Sequence, residues 1–168
     1  MVDVGADHLV GSGGGGSFIA QASNNFTLEI EKLDGIGLSI NGFSGLTFNC
    51  TIGEIPYQNV KIKYIQAAEF DDVTLEIRDF IDQDIAGKLY DWWKQGYNPE
   101  NDQIGTPADY KADGTLITHD PKGGNERKWS LRGCFVSSFS PGDFSMESQG
   151  EQVMVNCTLS VDKALRAK

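Results

Sequence analysis

Two histidines, three cysteines and several close-set carboxylates are the residues of this chain that could do chemistry. His8 and His119 have no local partners with which to build a multi-histidine metal site, and both are expected to be solvent-exposed. Asp79, Asp82 and Asp84 suggest a calcium loop. That chemistry needs Asp-x-Asp-x-Asp-Gly followed by a distal Glu, and Ile85-Ala86-Gly87 interrupts it. Cys50, Cys134 and Cys157 are odd in number and widely spaced with no CxxC, so they form neither a disulfide framework nor a zinc site. They are expected to be small buried hydrophobes, an inter-subunit disulfide being the sharper alternative. Glu29 and Glu31 could act as an acid–base pair, but carboxylates facing out from a polar strand are usually just solvated. There is no Gly-x-Ser-x-Gly elbow, and Gly11–Ser17 (GSGGGGS) is not followed by the Lys-Ser/Thr of a phosphate loop. No cofactor, no metal and no enzymatic activity are expected.

The carboxylates matter more as a surplus. The 168 residues carry 14 Lys+Arg against 24 Asp+Glu, a net charge of −10, which excludes a protein that grips nucleic acid by its phosphates. A wall biased to Glu and Asp does the reverse: it repels a phosphate backbone at contact, while salt screens the repulsion beyond about 8 Å. Such a wall makes a low-friction channel. Glu29, Glu31 and Glu76 are the candidate lining residues, with an ordinary solvated surface as the alternative for each.

These residues have to be positioned by a sheet. Phe26, Leu28 and Ile30 alternate with Thr27, Glu29 and Glu31; Val73, Leu75 and Ile77 alternate with Thr74, Glu76 and Arg78. Val60, Ile62 and Tyr64 alternate with lysines, and Val153–Val161 repeats the pattern. Each alternation places one strand face in a core. Further strands are expected over Leu46–Ile52, Lys111–Thr118 and Arg127–Phe139, with a hairpin turn at Asp113-Gly114 and loops over Asn98–Pro107 and Asp120–Glu126. The exception is Ile81–Tyr97, where apolar residues recur at threes and fours. This predicts one amphipathic helix capped by Asp82, ended by a left-handed Gly96, and burying Leu89 and one of Trp92 and Trp93. No apolar run approaches the ~20 residues of a membrane span. Met1–Ser17 lacks a secretory pattern, so the Asn-x-Ser/Thr sites at Asn25, Asn49 and Asn156 read as coincidences.

The chain therefore divides into a Gly-rich arm, residues 1–23, and a single mainly β domain, residues 24–168. The latter is a β-barrel or sandwich of antiparallel strands with one flanking helix at about 81–97. The GSGGGGS stretch is a flexible coil, whether a native hinge or an introduced linker. Phe18 and Ile19 beyond it are candidates for docking onto another subunit, so removing residues 1–17 is expected to weaken stacking more than folding.

The order of elements resembles the tube proteins of bacteriophage tails, especially contractile ones. The resemblance rests on Phe26–Ile30, on Val60–Tyr64 followed by Val73–Asp79, and on Leu89-Tyr90-Asp91-Trp92-Trp93 in the helix. Lys128–Val136, Phe144-Ser145-Met146 and the last long strand complete it, from about Asn24 to Lys168. The Gly-rich arm departs from that pattern. The resemblance implies hexameric rings stacked into a hollow tube with an acidic lumen that passes the genome without binding it specifically. It also implies sheath, tape-measure and baseplate partners, assembly in the host bacterial cytoplasm, residence in the virion and no membrane partner. A type VI secretion or contractile bacteriocin tube has the same shape. From another class, a monomeric β-sandwich could bind carbohydrate with Trp92, Trp93 and Trp129 as a stacking platform.

Overall fold

The computed structural model describes residues 24–33, 35, 39–119, 126–146, 150 and 152–167. Phe18 and Ile19, and the rest of the arm, lie outside the described residues. In chain order the strands that build the body are β1 (Phe26–Ile30), β2 (Ile40–Ser44), β5 (Val73–Arg78), β8 (Ala112–Thr118), β9 (Arg127–Ser140), β10 (Met154–Ser160) and β11 (Lys163–Ala167). They form one antiparallel path, β1-β8-β9-β10-β5-β2, with β11 also on β9. Strand β9 joins two layers. Its first half pairs with β8 and β11, its second with β10. The layers face each other, because Leu28, Leu116 and Leu131 from one share a core with Leu75, Ile77 and Leu159 from the other. This is the mainly β sandwich or barrel expected from the period-two patterns.

The crease in β9 falls at Gly133, whose φ of +66° suits glycine and where a Cβ would collide with the Asp162 carboxylate. The Gly133 amide donates to Asp113 Oδ1 at 3.0 Å. Asp113-Gly114, expected to be a hairpin turn, therefore runs inside β8. Gly114 is buried, and a Cβ there would lie 3.2 Å from the Glu29 carbonyl oxygen, so glycine serves the close approach of β1 and not a reversal.

The helix α1 (Ile85–Gly96) starts four residues later than the periodicity predicts. Ile81 is fully exposed, and the cap is Asp84, not Asp82. Asp84 Oδ1 accepts from the Gly87 amide at 3.1 Å and Asp79 Oδ1 from the Ile85 amide at 3.2 Å, answering two of the open N–H groups of the first turn. Gly96 does not take the left-handed form; Tyr97 leaves in extended geometry. Ile85, Leu89 and Trp92 form the buried stripe, with Trp93 half-buried beside them. The expected loop over Asn98–Pro107 holds the short pair β6 (Tyr97–Asn98) and β7 (Gln103–Ile104), followed by the one-turn α2 (Pro107–Tyr110). Trp92 Nε1 donates to the Tyr110 carbonyl at 2.6 Å and ties α2 to α1.

Two cysteines behave as expected and one does not. Cys134 and Cys157 are buried in the core, whereas Cys50 is exposed. Burial pushes both core thiols up to about 12 from 9.0. The unfolded chain therefore releases these protons first as pH rises, and the stability held below pH 9 is lost progressively between pH 9 and about 12. Thiol titration of the native protein is expected to label Cys50 alone, with Cys134 and Cys157 reacting only in denaturant. Rapid native labelling of all three would contradict this packing.

Candidate assembly surface

Among the described residues, strands β3 (Phe48–Tyr57) and β4 (Val60–Phe70) pair only with each other. The alternation of Val60, Ile62 and Tyr64 was expected to place one face in the core. Instead both faces are open to solvent along nearly the whole hairpin. Its base is anchored where Phe48 packs on Trp129, with ring centroids 5.6 Å apart, and where Phe70 meets the core. Beyond that base, the register sets Ile55 opposite Ile62, Tyr57 opposite Val60, and Gly53 under the Tyr64 ring, all on one face. The other face carries Lys61 and Lys63, and Lys61 pairs with Glu54 at 3.1 Å. Exposures of 52–66% at Ile55, Tyr57, Val60 and Ile62 make this a contiguous apolar surface. A two-stranded ribbon is marginal in water, and such patches mark contacts with other macromolecules.

The sheet supplies further unfinished surface. Among the described residues β1 pairs only with β8, β2 only with β5 and β11 only with β9, so each presents one free edge. Open edges are templates for pairing with another chain unless blocked.

The candidate lining residues are divided by the fold. Glu29 and Glu31 are exposed on and just after β1, bordering an open concavity of about 540 Å³. Glu76 is exposed on β5, opposite Asn156 of β10, with its carboxylate over Gly42. Strands β8, β9 and β10 separate β1 from β5, so the three carboxylates form no single cluster. Outward facing was legible from the alternation. The neutral rows around Glu76, with Thr74, Asn156 and Thr158, were not.

His119 is not freely exposed as expected. Its Nε2 lies 2.8 Å from Thr27 Oγ1, its Nδ1 lies 3.6 Å from Glu126 Oε1, and the Asn25 side chain donates to its carbonyl. It fastens the end of β8 to β1; no single-residue signal in the sequence announces that role. The three tryptophans form no single platform: Trp92 is 2% exposed and bonded to the Tyr110 carbonyl, Trp129 is half-buried under Phe48, and the half-buried Trp93 lines a separate open concavity with Tyr97, Ile104 and Phe135. Among the described residues no group of three or more His, Cys, Asp or Glu is placed to hold a metal ion, and no helix is long and apolar enough to cross a membrane.

No family profile matches the chain, and no curated protein matches it in sequence. Its backbone does have counterparts. The tube-terminating cap of the anti-feeding prophage superposes with a TM-score of 0.71 at 16% identity, covering 92% of this chain and 95% of that one. This is a contractile-tail tube-like fold. A chain from the sheath–tube complex of the extracellular contractile injection system PVC, in its extended state, gives 0.68 at 17% identity, covering 88% and 91%. Hcp1 from Flavobacterium johnsoniae gives 0.51 at 8% identity over 84% and 93%. The first two of these counterparts are a tube-terminating cap and a component of a sheath–tube complex. In this tube-like fold, the projecting hairpin and the open strand edges are candidate assembly surfaces among the described residues.

Proposed function

We propose that this chain is a structural, non-enzymatic subunit of a contractile tail tube, in which identical copies form hexameric rings that stack into a hollow cylinder. One observation carries the proposal: the β3–β4 hairpin exposes apolar side chains on a ribbon that pairs with no other strand among the described residues. A head-to-tail contact made by such a ribbon closes into a ring or runs on into a filament, and either suits a tube. The solved counterparts support the same architecture and extend its partners to sheath, cap and baseplate components. Two settings share this geometry. The phage-tail setting, with a genome as cargo, comes from the sequence resemblance; the alternative, the tube of a type VI secretion system or contractile bacteriocin, is supported by the counterpart from an extracellular contractile injection system.

Glu29, Glu31 and Glu76 remain the proposed lumen carboxylates, and Phe18 and Ile19 the proposed arm contact. Electron microscopy of the purified protein is expected to show rings or tubes; compact monomers at every concentration and salt condition would sink the proposal. In particles that eject DNA, replacing the three glutamates with lysine should leave tubes intact and slow release, because a basic wall binds phosphate. Unchanged release would remove those residues from the lumen.

A further inference from the structure

An open groove of about 310 Å³ lies where α1, β7 and the second half of β9 meet. Its lining is aromatic. Trp93 packs against Tyr97 with ring centroids 5.9 Å apart, Tyr110 packs against Phe135 at 5.5 Å, and Ile104, 82% exposed, completes it. The hydroxyls in this lining are already engaged. Tyr97 donates to Asp102 Oδ1 at 2.6 Å, and Ser137 donates to the Thr158 carbonyl at 3.1 Å. The groove therefore suits apolar side chains and offers little to a polar ligand.

We propose that Phe18 and Ile19 of a neighbouring copy occupy this groove. The point where residues 1–23 join the body is fixed. The Asn25 side chain donates to the His119 carbonyl at 2.9 Å and the His119 amide to the Asn25 carbonyl at 3.0 Å, so this junction lies at the Thr118 end of β8. The groove lies at the other end, where Tyr110 precedes β8 and Ala112 pairs with Cys134, the neighbour of Phe135. The seven residues of β8 alone cover about 20 Å between the two. Ile19 precedes Asn24 by five residues, which reach at most about 18 Å fully extended. That tether is too short to seat the pair in the groove of its own chain. A copy whose Asn24 lies beside the groove meets no such limit. Apolar pair and apolar groove, attached at opposite ends of β8, make a heterologous contact that passes from copy to copy. The inference rests on the tube reading and adds to the proposed arm contact the surface that receives it.

Cross-linking of the full chain tests it, with the exposed Cys50 replaced by serine. Copies carrying Ile19→Cys are mixed with copies carrying Ile104→Cys, assembled and mildly oxidised. The expected product is a two-chain species whose bridging peptides, read by mass spectrometry, join positions 19 and 104. The double variant Ile19→Cys/Ile104→Cys, diluted below assembly, should form no bridge within one chain. Separately, Phe18→Ser/Ile19→Ser and Ile104→Ser should each raise the protein concentration needed for assembly by about tenfold. Combining them should add little further, because both remove the same contact. Ile104 is mostly exposed, so its variant should melt like wild type, which shows that the subunit is folded. A bridge found only within one chain, no bridge at all, or an Ile104→Ser variant that assembles like wild type would overturn this assignment while leaving the tube reading standing. A wild-type protein that forms neither rings nor tubes would overturn both.

Discussion

Replacing Ile55 and Ile62 with aspartate is expected to leave a well-folded monomer that no longer assembles. The two side chains face each other across the hairpin and are 54% and 52% exposed, so the isolated subunit loses little when they become polar. Exposed substitutions of this kind stay within about 0.5 kcal/mol. In an assembly the same atoms leave water. About half of each isoleucine is left to bury, so each contributes about 1 kcal/mol, or about 2 kcal/mol per subunit for the pair. Tenfold in an equilibrium constant corresponds to about 1.4 kcal/mol, so the protein concentration needed for assembly should rise by roughly thirtyfold. Two buried, unpaired carboxylates would raise it further. Sedimentation velocity against concentration reads the assembly and thermal unfolding of the dilute protein reads the subunit. A lower melting temperature with assembly unimpaired would mean that the hairpin belongs to the subunit's own core.

That contrast marks where the sequence stops being informative. The alternation of Val60, Ile62 and Tyr64 in β4 has the same period as that in β5, where Val73, Leu75 and Ile77 are completely buried. Periodicity reports that a face seeks burial, not whether the partner belongs to the same chain, and Cys50 was misplaced for the same reason. The helix was legible in its buried stripe because Ile85, Leu89 and Trp92 must meet β9. Its start was not, since two aspartates could cap and the choice depended on the turn geometry that brings Asp79 and Asp84 to the first amides. Asp113-Gly114 carries the local signature of a turn, yet the approach of β1 over Gly114 and the crease at Gly133 draw it into a strand. Glu29, Glu31 and Glu76 were legible as outward-facing, since their neighbours Leu28, Ile30, Leu75 and Ile77 are buried. Which outward surface would face a lumen is a property of the proposed ring and is not encoded in any one strand.

The largest loss of subunit stability is expected at Trp92. It is the largest side chain in the core at 2% exposure, and its Nε1–H bond to the Tyr110 carbonyl is what holds α2 against α1. Trp92→Ala removes the ring and leaves a cavity that Leu89 and the β9 side chains cannot fill without moving, which costs about 3–5 kcal/mol. For a domain of this size each kcal/mol lowers the melting temperature by roughly 2–4 °C, so a fall of about 10–15 °C is expected. Trp92→Phe separates the two contributions. It keeps much of the ring and loses the donor, leaving the Tyr110 carbonyl unanswered at a cost of about 1–3 kcal/mol. Hydrogen exchange should then show faster exchange at the Lys111 amide, which closes α2 by donating to Pro107, while the amides of β5 and β10 stay protected. The hairpin is remote from this contact, so Trp92→Phe should still assemble below its melting temperature, whereas the Ile55 and Ile62 aspartate variant should not. If Trp92→Ala melted within a few degrees of wild type, α1 would be an appendage of the sheet and no longer part of the core that positions the assembly surfaces.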